Sequence, residues 1–273
     1  MSGTAADAPH PHRPLKLARA LVPVTRFLLP PEVGTPPPDI LAYLRTTAEG
    51  ARQLTRAHLL RADATSDRGA FQAAMEDLGA ALAEAYERQF AEQRTRDPEL
   101  EKRVAAVECR RGCSFCCHMN VGVTILEAAR ITAALRDGLH RERCDAVLAA
   151  DSRLERRRAQ ERLAMKLLCP LLVDGACSIY EIRPIACRAL LSLSARLCEQ
   201  EVEAREAGGA ARVPTLVTPR LIAAGYISGE VAALEDLGLA SHLVELTAAV
   251  ALLLREPATL DRWLDGQDAF PRL

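Results

Sequence analysis

The chain carries almost no excess charge, with 35 Lys and Arg against 36 Asp and Glu over 273 residues and a formal net charge of -1. Nothing in that balance recruits a polyanion, so neither nucleic acid nor an anionic membrane surface is expected as a partner. Long apolar runs are missing as well. The stretch at 246–254 is far short of the ~20 residues a spanning helix needs. The apolar stretch at 21–29 is broken by Pro23 and Arg26 and lacks a small-residue cleavage site. These absences predict a cytoplasmic chain with no membrane segment. Catalytic signatures are also lacking: there is no nucleophile–base pair, no phosphate-cradling glycine loop and no carboxylate pair at a recognisable spacing. Finally, cysteine is absent from the first 108 residues and from the last 75.

What lies between is therefore conspicuous. The segment reads Cys109-x3-Cys113-x2-Cys116-Cys117, then Cys169-Pro170, then Cys177-x-Ile179-Tyr180-x2-Arg183-Pro184-x2-Cys187-Arg188, and ends at Cys198. Eight of the nine cysteines fall here in two groups of four, the ninth being Cys144. Soft divalent ions and iron–sulfur clusters take thiolates, usually four per centre, and a CxxC turn such as Cys113-Ser114-Phe115-Cys116 presents two sulfurs from one bend. Adjacent side chains diverge from the backbone, so Cys116 and Cys117 are expected to serve two neighbouring centres or two irons of one cluster. In a reducing cytosol such spacings read as metal sites, whereas in a secreted chain they would read as disulfides.

The rest of the chain reads as helix. Residues 1–38 hold His10, His12 and a scatter of prolines ending in Pro36-Pro37-Pro38, which predicts an irregular arm with ordinary polar histidines. Asp39 then caps a pattern in which Ile40, Leu44, Thr47, Ala51, Leu54 and His58 share one face, His58 as a packing residue. A second pattern from Ser66 carries Phe71, Met75, Leu78, Leu82 and Ala85, so two antiparallel helices are expected over 39–107. Pro98 opens a short charged helix leading to the cysteines, and Gly112 supplies a turn. Thr124-Ile125-Leu126-Glu127 is a capping box that starts a helix ending at Gly138. Residues 142–166 look helical, and Arg156, Arg157 and Arg158 read as a solvated face; Cys144 there reads as a buried or free thiol. Between 169 and 187 the periodicity stops at Pro170, Asp174-Gly175 and Pro184, with strand-like pieces at 171–173 and 178–180. Helix is expected again over 189–207, placing Cys198 on a helix, then from Thr218-Pro219, over 241–254 and over 257–264.

Together, CxxxCxxCC, Cys169-Pro170, the run from Cys177 to Arg188 and the last Cys198 resemble the YkgJ-type cysteine-cluster proteins, a family described as zinc- or iron-chelating and also as Fe-S-cluster-containing. The resemblance is clearest from Cys109 to Cys198, extends weakly over the helical tail to about Phe270, and leaves the first hundred residues uncovered. It implies Cys109, Cys113, Cys116, Cys117, Cys169, Cys177, Cys187 and Cys198 as metal ligands, with zinc or an iron–sulfur cluster as the cofactor. His118 could replace one of the pair, although a supporting or surface imidazole is the plainer reading. A more distant similarity to cysteine-rich flagellin lysine N-methylases keeps protein methylation open. Cys109-x3-Cys113-x2-Cys116 with Phe115 before the last cysteine also matches the radical S-adenosylmethionine signature, whose fold is a partial barrel of strand–helix units.

Four-thiolate sites concentrate negative charge, which nearby cations would offset. Arg110, Arg111, Lys166, Arg183, Arg188 and Arg196 are close in sequence, and the role is expected only of Arg183 and Arg188, the others reading as solvated surface cations. The expectation is a mainly α fold: an arm (1–38), N-terminal helices (39–107), a loop-rich cysteine metal centre (108–200) and C-terminal helices packed on it (201–273). Metal binding through eight thiolates is the expected function. An Fe-S enzyme of redox or S-adenosylmethionine-dependent chemistry is the alternative.

Overall fold

A computed structural model describes residues 24, 27–29, 34–64, 68–138, 141–154, 168–206 and 213–272. The fold is mainly α. Helices α1 (Pro38–Asp63), α2 (Arg68–Arg96) and α3 (Pro98–Ala105) precede the first cysteine loop. Strand β1 (Gly122–Val123), α4 (Ile125–Arg136) and α5 (Glu142–Leu154) follow it. The second cysteine segment holds the hairpin β2 (Leu172–Val173) and β3 (Ala176–Cys177), then α6 (Ile185–Ala189) and α7 (Ala195–Glu206). The chain closes with α8 (Val217–Asp236), β4 (Val244–Glu245), α9 (Leu246–Arg255) and α10 (Ala258–Leu264).

The N-terminal pair forms as the apolar periodicity requires. Phe71, Met75, Leu78 and Leu82 of α2 are all buried, with Ala85 packed against them. On α1 the buried face has turned slightly from the predicted stripe and runs through Leu44, Ala48, Ala51, Arg52, Thr55 and Leu59. The two helices are joined by Gln89, whose amide donates to Tyr43 Oη and Thr47 Oγ1, each at 2.7 Å. Helix α1 lies tightly against α8. A Cβ at Gly229 would stand 2.1 Å from the Ala48 carbonyl oxygen, so the helices approach this closely only because the residue is glycine. The same interface buries Arg52, which donates from Nε (2.6 Å) and Nη2 (2.5 Å) to the Asp236 carboxylate.

Helix α4 is capped as its first residues dictate. Thr124 Oγ1 accepts from the Glu127 amide (3.1 Å), and Glu127 Oε2 accepts from the Thr124 amide (3.2 Å). The second Glu127 oxygen accepts from the Ile185 amide at 2.8 Å, so one carboxylate ties the start of α4 to the start of α6. Helix α9 packs on α4 and α5, and Arg255 of α9 donates to Asp151 of α5 at 2.6 Å.

Several boundaries differ from those expected. Helix α1 begins at Pro38, and Asp39 makes no side-chain cap, because a proline fixed at φ near its helical value opens the helix one residue earlier. Residues 241–245 are not helical: Val244 pairs with Val123 and Glu245 with Gly122, and the Glu245 side chain caps α9. The helix predicted over 189–207 is interrupted, since Leu193 and Leu216 donate to the Pro214 and Leu191 carbonyls and Ser192 bridges Thr215. Helix α8 starts at Val217 without a Thr218 cap. The second strand piece is Ala176–Cys177 rather than 178–180, because Asp174 (φ 48°) and Gly175 (φ 76°) form a two-residue hairpin turn that fixes the register. Ser66, His10, His12, Arg156–Arg158, Lys166 and Gly208–Gly209 lie outside the described residues.

Candidate metal centre

The two cysteine segments meet through their backbones. The Glu108 amide donates to the Ser192 carbonyl (3.1 Å), and the Ala195 amide donates to the Glu108 carboxylate (2.6 Å), which fixes the first loop against the start of α7. The Cys169 amide donates to the Cys117 carbonyl (2.8 Å), which fixes the other end of that loop to the start of the hairpin segment. Gly112, at φ 93°, lets the chain reverse so that the Cys113 amide reaches the Arg110 carbonyl (2.9 Å). Cys116 and Cys117 then sit on a short 3-10 turn, Phe115–His118.

This arrangement reshuffles the two groups seen along the sequence. Cys198, carried by α7, shares a cavity with Cys109, Cys113 and Cys116, not with Cys169, Cys177 and Cys187. Cys169, Cys177 and Cys187 form a second neighbourhood: Cys177 adds to the rise at Cys169, and Cys169 and Cys177 both add to the rise at Cys187. Of the vicinal pair, Cys116 stands close to both sets of three. Cys116 perturbs Cys109 and Cys198 on one side and Cys169, Cys177 and Cys187 on the other, so its sulfur faces both. Cys144 takes no part: its thiol donates to the Leu135 carbonyl at 3.8 Å, against the core. All nine cysteines are unbridged. Among the described residues, no three Cys, His, Asp or Glu side chains already stand around one ion position.

The electrostatics of these thiols have one dominant cause. Burial pushes Cys109, Cys177, Cys187 and Cys198 upward and takes Cys169 to about 11, with neighbouring sulfurs adding to the rise. Cys116 is raised chiefly because its thiol hydrogen-bonds Cys117, and secondarily by burial. A cysteine built for nucleophilic attack is arranged the opposite way, with its thiolate favoured. Here the uncharged thiol is favoured until a cation arrives to displace the proton. Some donors already face the sulfurs: the Ser192 amide donates to Cys109 Sγ at 3.1 Å.

Arg183 is the basic residue that meets the expectation. Its guanidinium lies 3.7 Å from the Tyr180 ring centroid and lowers the Cys177 and Cys116 pKa values. Its Nε and Nη1 are buried without a hydrogen-bond partner among the described residues, an orphaned cation beside a set of sulfurs. Arg188 is turned elsewhere, donating to the Glu181 and Arg183 carbonyls and pairing with Glu87. Arg111 also lies near Tyr180, its guanidinium carbon 5.5 Å from the ring centroid, and it too lowers Cys177. His118 lines the cavity of the first three cysteines, and its Nδ1 is buried without a partner. His58, by contrast, is satisfied by the Leu54 carbonyl at 3.0 Å, as a packing histidine should be.

The two neighbourhoods differ in the space that adjoins them. Cys109, Cys113, Cys116 and Cys198 line a cavity of about 210 Å³, walled by apolar residues such as Phe115 and Val202. Beside Cys169 the adjoining space is about 20 Å³. Sequence reasoning did not identify Ser192 or Glu108, whose roles depend on contacts across more than 80 residues and leave no local trace.

Residues 108–206 match a family model described as "CxxCxxCC: Putative zinc- or iron-chelating domain". The match starts one residue before Cys109 and includes all eight clustered cysteines, so this segment is similar to a zinc- or iron-chelating cysteine domain. No curated protein and no solved structure matches the chain. The described residues hold two two-stranded ribbons and none of the repeated strand–helix units of a radical S-adenosylmethionine barrel. No helix among them is long and apolar enough to cross a membrane.

Proposed function

We propose that this chain is a YkgJ-type metal-binding protein whose eight clustered cysteines hold zinc or iron as two four-thiolate sets. One set consists of Cys109, Cys113 and Cys198, the other of Cys169, Cys177 and Cys187, and Cys116 and Cys117 divide between them. The observation that carries this reading is the approach of two cysteine segments, which brings together seven half-buried thiols and the exposed Cys116 and leaves the ninth out. The orphaned Arg183 guanidinium supports it independently. A four-thiolate zinc site carries a formal charge of about -2, which a buried unpartnered cation nearby would offset. In this reading residues 108–200 are the binding region, the helices on either side hold its loops in place, and a reducing compartment such as the cytoplasm keeps its thiols available.

The same donor set suits an iron–sulfur cluster, in which adjacent cysteines ligate different irons. The vicinal pair, with Cys116 facing both sets, favours this as the second reading. Redox or methyl-transfer chemistry would then be open to the chain.

Raised thiol pKa values supply a direct test. At neutral pH the free cysteines are protonated, so loading the reduced, metal-free chain with zinc releases about one proton per coordinating thiol, or roughly eight for two ions. The same linkage makes loading weaken as the pH falls, because protons then compete for sulfurs that already prefer them. Indicator-dye titration in weakly buffered solution measures the release. A value of two or fewer would mean that imidazoles and carboxylates, not thiols, take the metal.

A further inference from the structure

The two sets of sulfurs are not equivalent, and the difference lies in what adjoins them. The cavity over Cys109, Cys113 and Cys198 is about 210 Å³ and opens to solvent. That is many times the ~10–15 Å³ one water needs. It is walled by Phe115, Val202 and Val213, with Ser192 and Thr215 as hydroxyl groups and His118 among its lining. The space beside Cys169 is about 20 Å³, room for a single water. Cys169 and its neighbours are also held by short-range backbone ties: Cys169 to the Cys117 carbonyl, Leu172 to the Cys169 carbonyl at 3.0 Å, and Ser178 to the Leu171 carbonyl at 2.9 Å. Cys187 sits on α6, whose first amide is fixed by Glu127. Cys198 is on α7, one turn before Val202, and both line the larger cavity.

We propose that the two centres have different jobs: the Cys169, Cys177, Cys187 set keeps its metal permanently, while the Cys109, Cys113, Cys198 set exchanges metal with a small thiol ligand admitted through the adjoining cavity. This rests on the metal-binding reading above. Ligand exchange at a thiolate-bound ion proceeds by an incoming donor entering before a protein sulfur leaves, so it needs space beside the ion, which one set has and the other lacks. In each step one protein sulfur–metal bond breaks and one incoming sulfur–metal bond forms. The proton of the incoming thiol passes to the released cysteine, and no electron is transferred. The apolar walls and hydroxyl groups fit a compact thiol of amino-acid size, and the narrow space at Cys169 excludes it.

The test follows metal leaving the zinc-loaded full-length chain after mixing with excess chromophoric chelator, with and without free cysteine as the small thiol. Two phases of similar amplitude are expected, separated at least tenfold in rate, with free cysteine accelerating only the fast one. Cys198→Ser removes the fast phase and keeps the slow one. Val202→Trp, which fills the cavity while leaving every cysteine in place, slows the fast phase at least fivefold while total zinc is unchanged. Release of both ions in a single phase, or a fast phase indifferent to Val202→Trp, overturns the proposal while leaving metal binding intact. A chain that takes up no metal overturns the reading beneath it, and that outcome is recognised before any chelator is added.

Discussion

Replacing Cys187 by serine lowers the metal content by one centre and destabilises the loaded protein by about 4 kcal/mol, because structural zinc contributes ~10–16 kcal/mol to the folding of small zinc domains. Loss of one thiolate in four forfeits a sizeable share of that. Cys187 is the appropriate position to test because it lies on α6, whose N-terminus is tied through Glu127 to the capping box of α4. A hydroxyl at this buried site offers the ion a harder, weaker donor and leaves the neighbouring thiols Cys169 and Cys177 without a full shell. In a domain of this size each kcal/mol moves the unfolding midpoint by ~2–4 °C, so a fall of about 8–16 °C is expected in a thermal scan. Cys144→Ser is the matched control. Its sulfur makes one weak contact with the Leu135 carbonyl, so metal content stays the same and the midpoint moves by only a few degrees. Equal effects from the two substitutions would show that Cys187 matters only as a packed side chain.

Asp236→Ala is expected to be as damaging for a different reason. Arg52 is 3% exposed and directs two guanidinium nitrogens at the Asp236 carboxylate, which is 7% exposed. Removing the carboxylate takes from the buried guanidinium its two-pronged partner between α1 and α8 and leaves it the longer contact to Glu49 at 3.4 Å, a defect at the lower end of the ~3–5 kcal/mol that breaking a buried pair costs. The charges themselves are replaceable. Substituting both partners by apolar residues, Arg52→Met with Asp236→Leu, recovers most of the loss, since a buried ion pair gains little over well-packed hydrocarbon. Urea denaturation of the two variants measures the difference. If the double variant is as unstable as the single one, the pair is doing more than filling the interface. The site is remote from the cysteines, so neither variant alters the metal bound per folded chain.

Local signals in the sequence carried over well into structure. The capping box at Thr124–Glu127, the buried stripe from Phe71 to Leu82, the turn at Asp174-Gly175 and the glycine before the CxxC bend are each decided by interactions within a few residues, and each is present. Features that depend on distant partners were not legible. Residues 244–245 form a strand only because Gly122 and Val123 lie alongside, over a hundred residues earlier. The break before α7 exists because residues 214–216 pair with 191–193. Arg52, one of many charged residues on a helical pattern, gives no sign that Asp236 waits for it across 184 positions.

The cysteine region shows the same division. Spacing alone marks eight thiols as belonging together and sets Cys144 apart. It cannot say that Cys198 joins the first segment, because that follows from Glu108 and Cys109 docking against the chain at Ser192 and Ala195. The orientation of the basic residues is equally a tertiary matter. Arg183 and Arg188 are five positions apart and read alike along the chain, yet one lies over Tyr180 beside the sulfurs and the other faces main-chain carbonyls and Glu87.

Metal and acid-labile sulfide content per chain, measured with the visible spectrum on protein purified without oxygen, tests the central claim most directly. Two outcomes accord with it: about two zinc ions per chain and no colour, as two four-thiolate sites would hold, or iron with comparable sulfide and a brown spectrum. In either case Cys144→Ser leaves the content unchanged and Cys109→Ser lowers it. A chain that purifies folded and metal-free, takes up neither zinc nor iron, and presents nine freely titrating thiols would contradict the account.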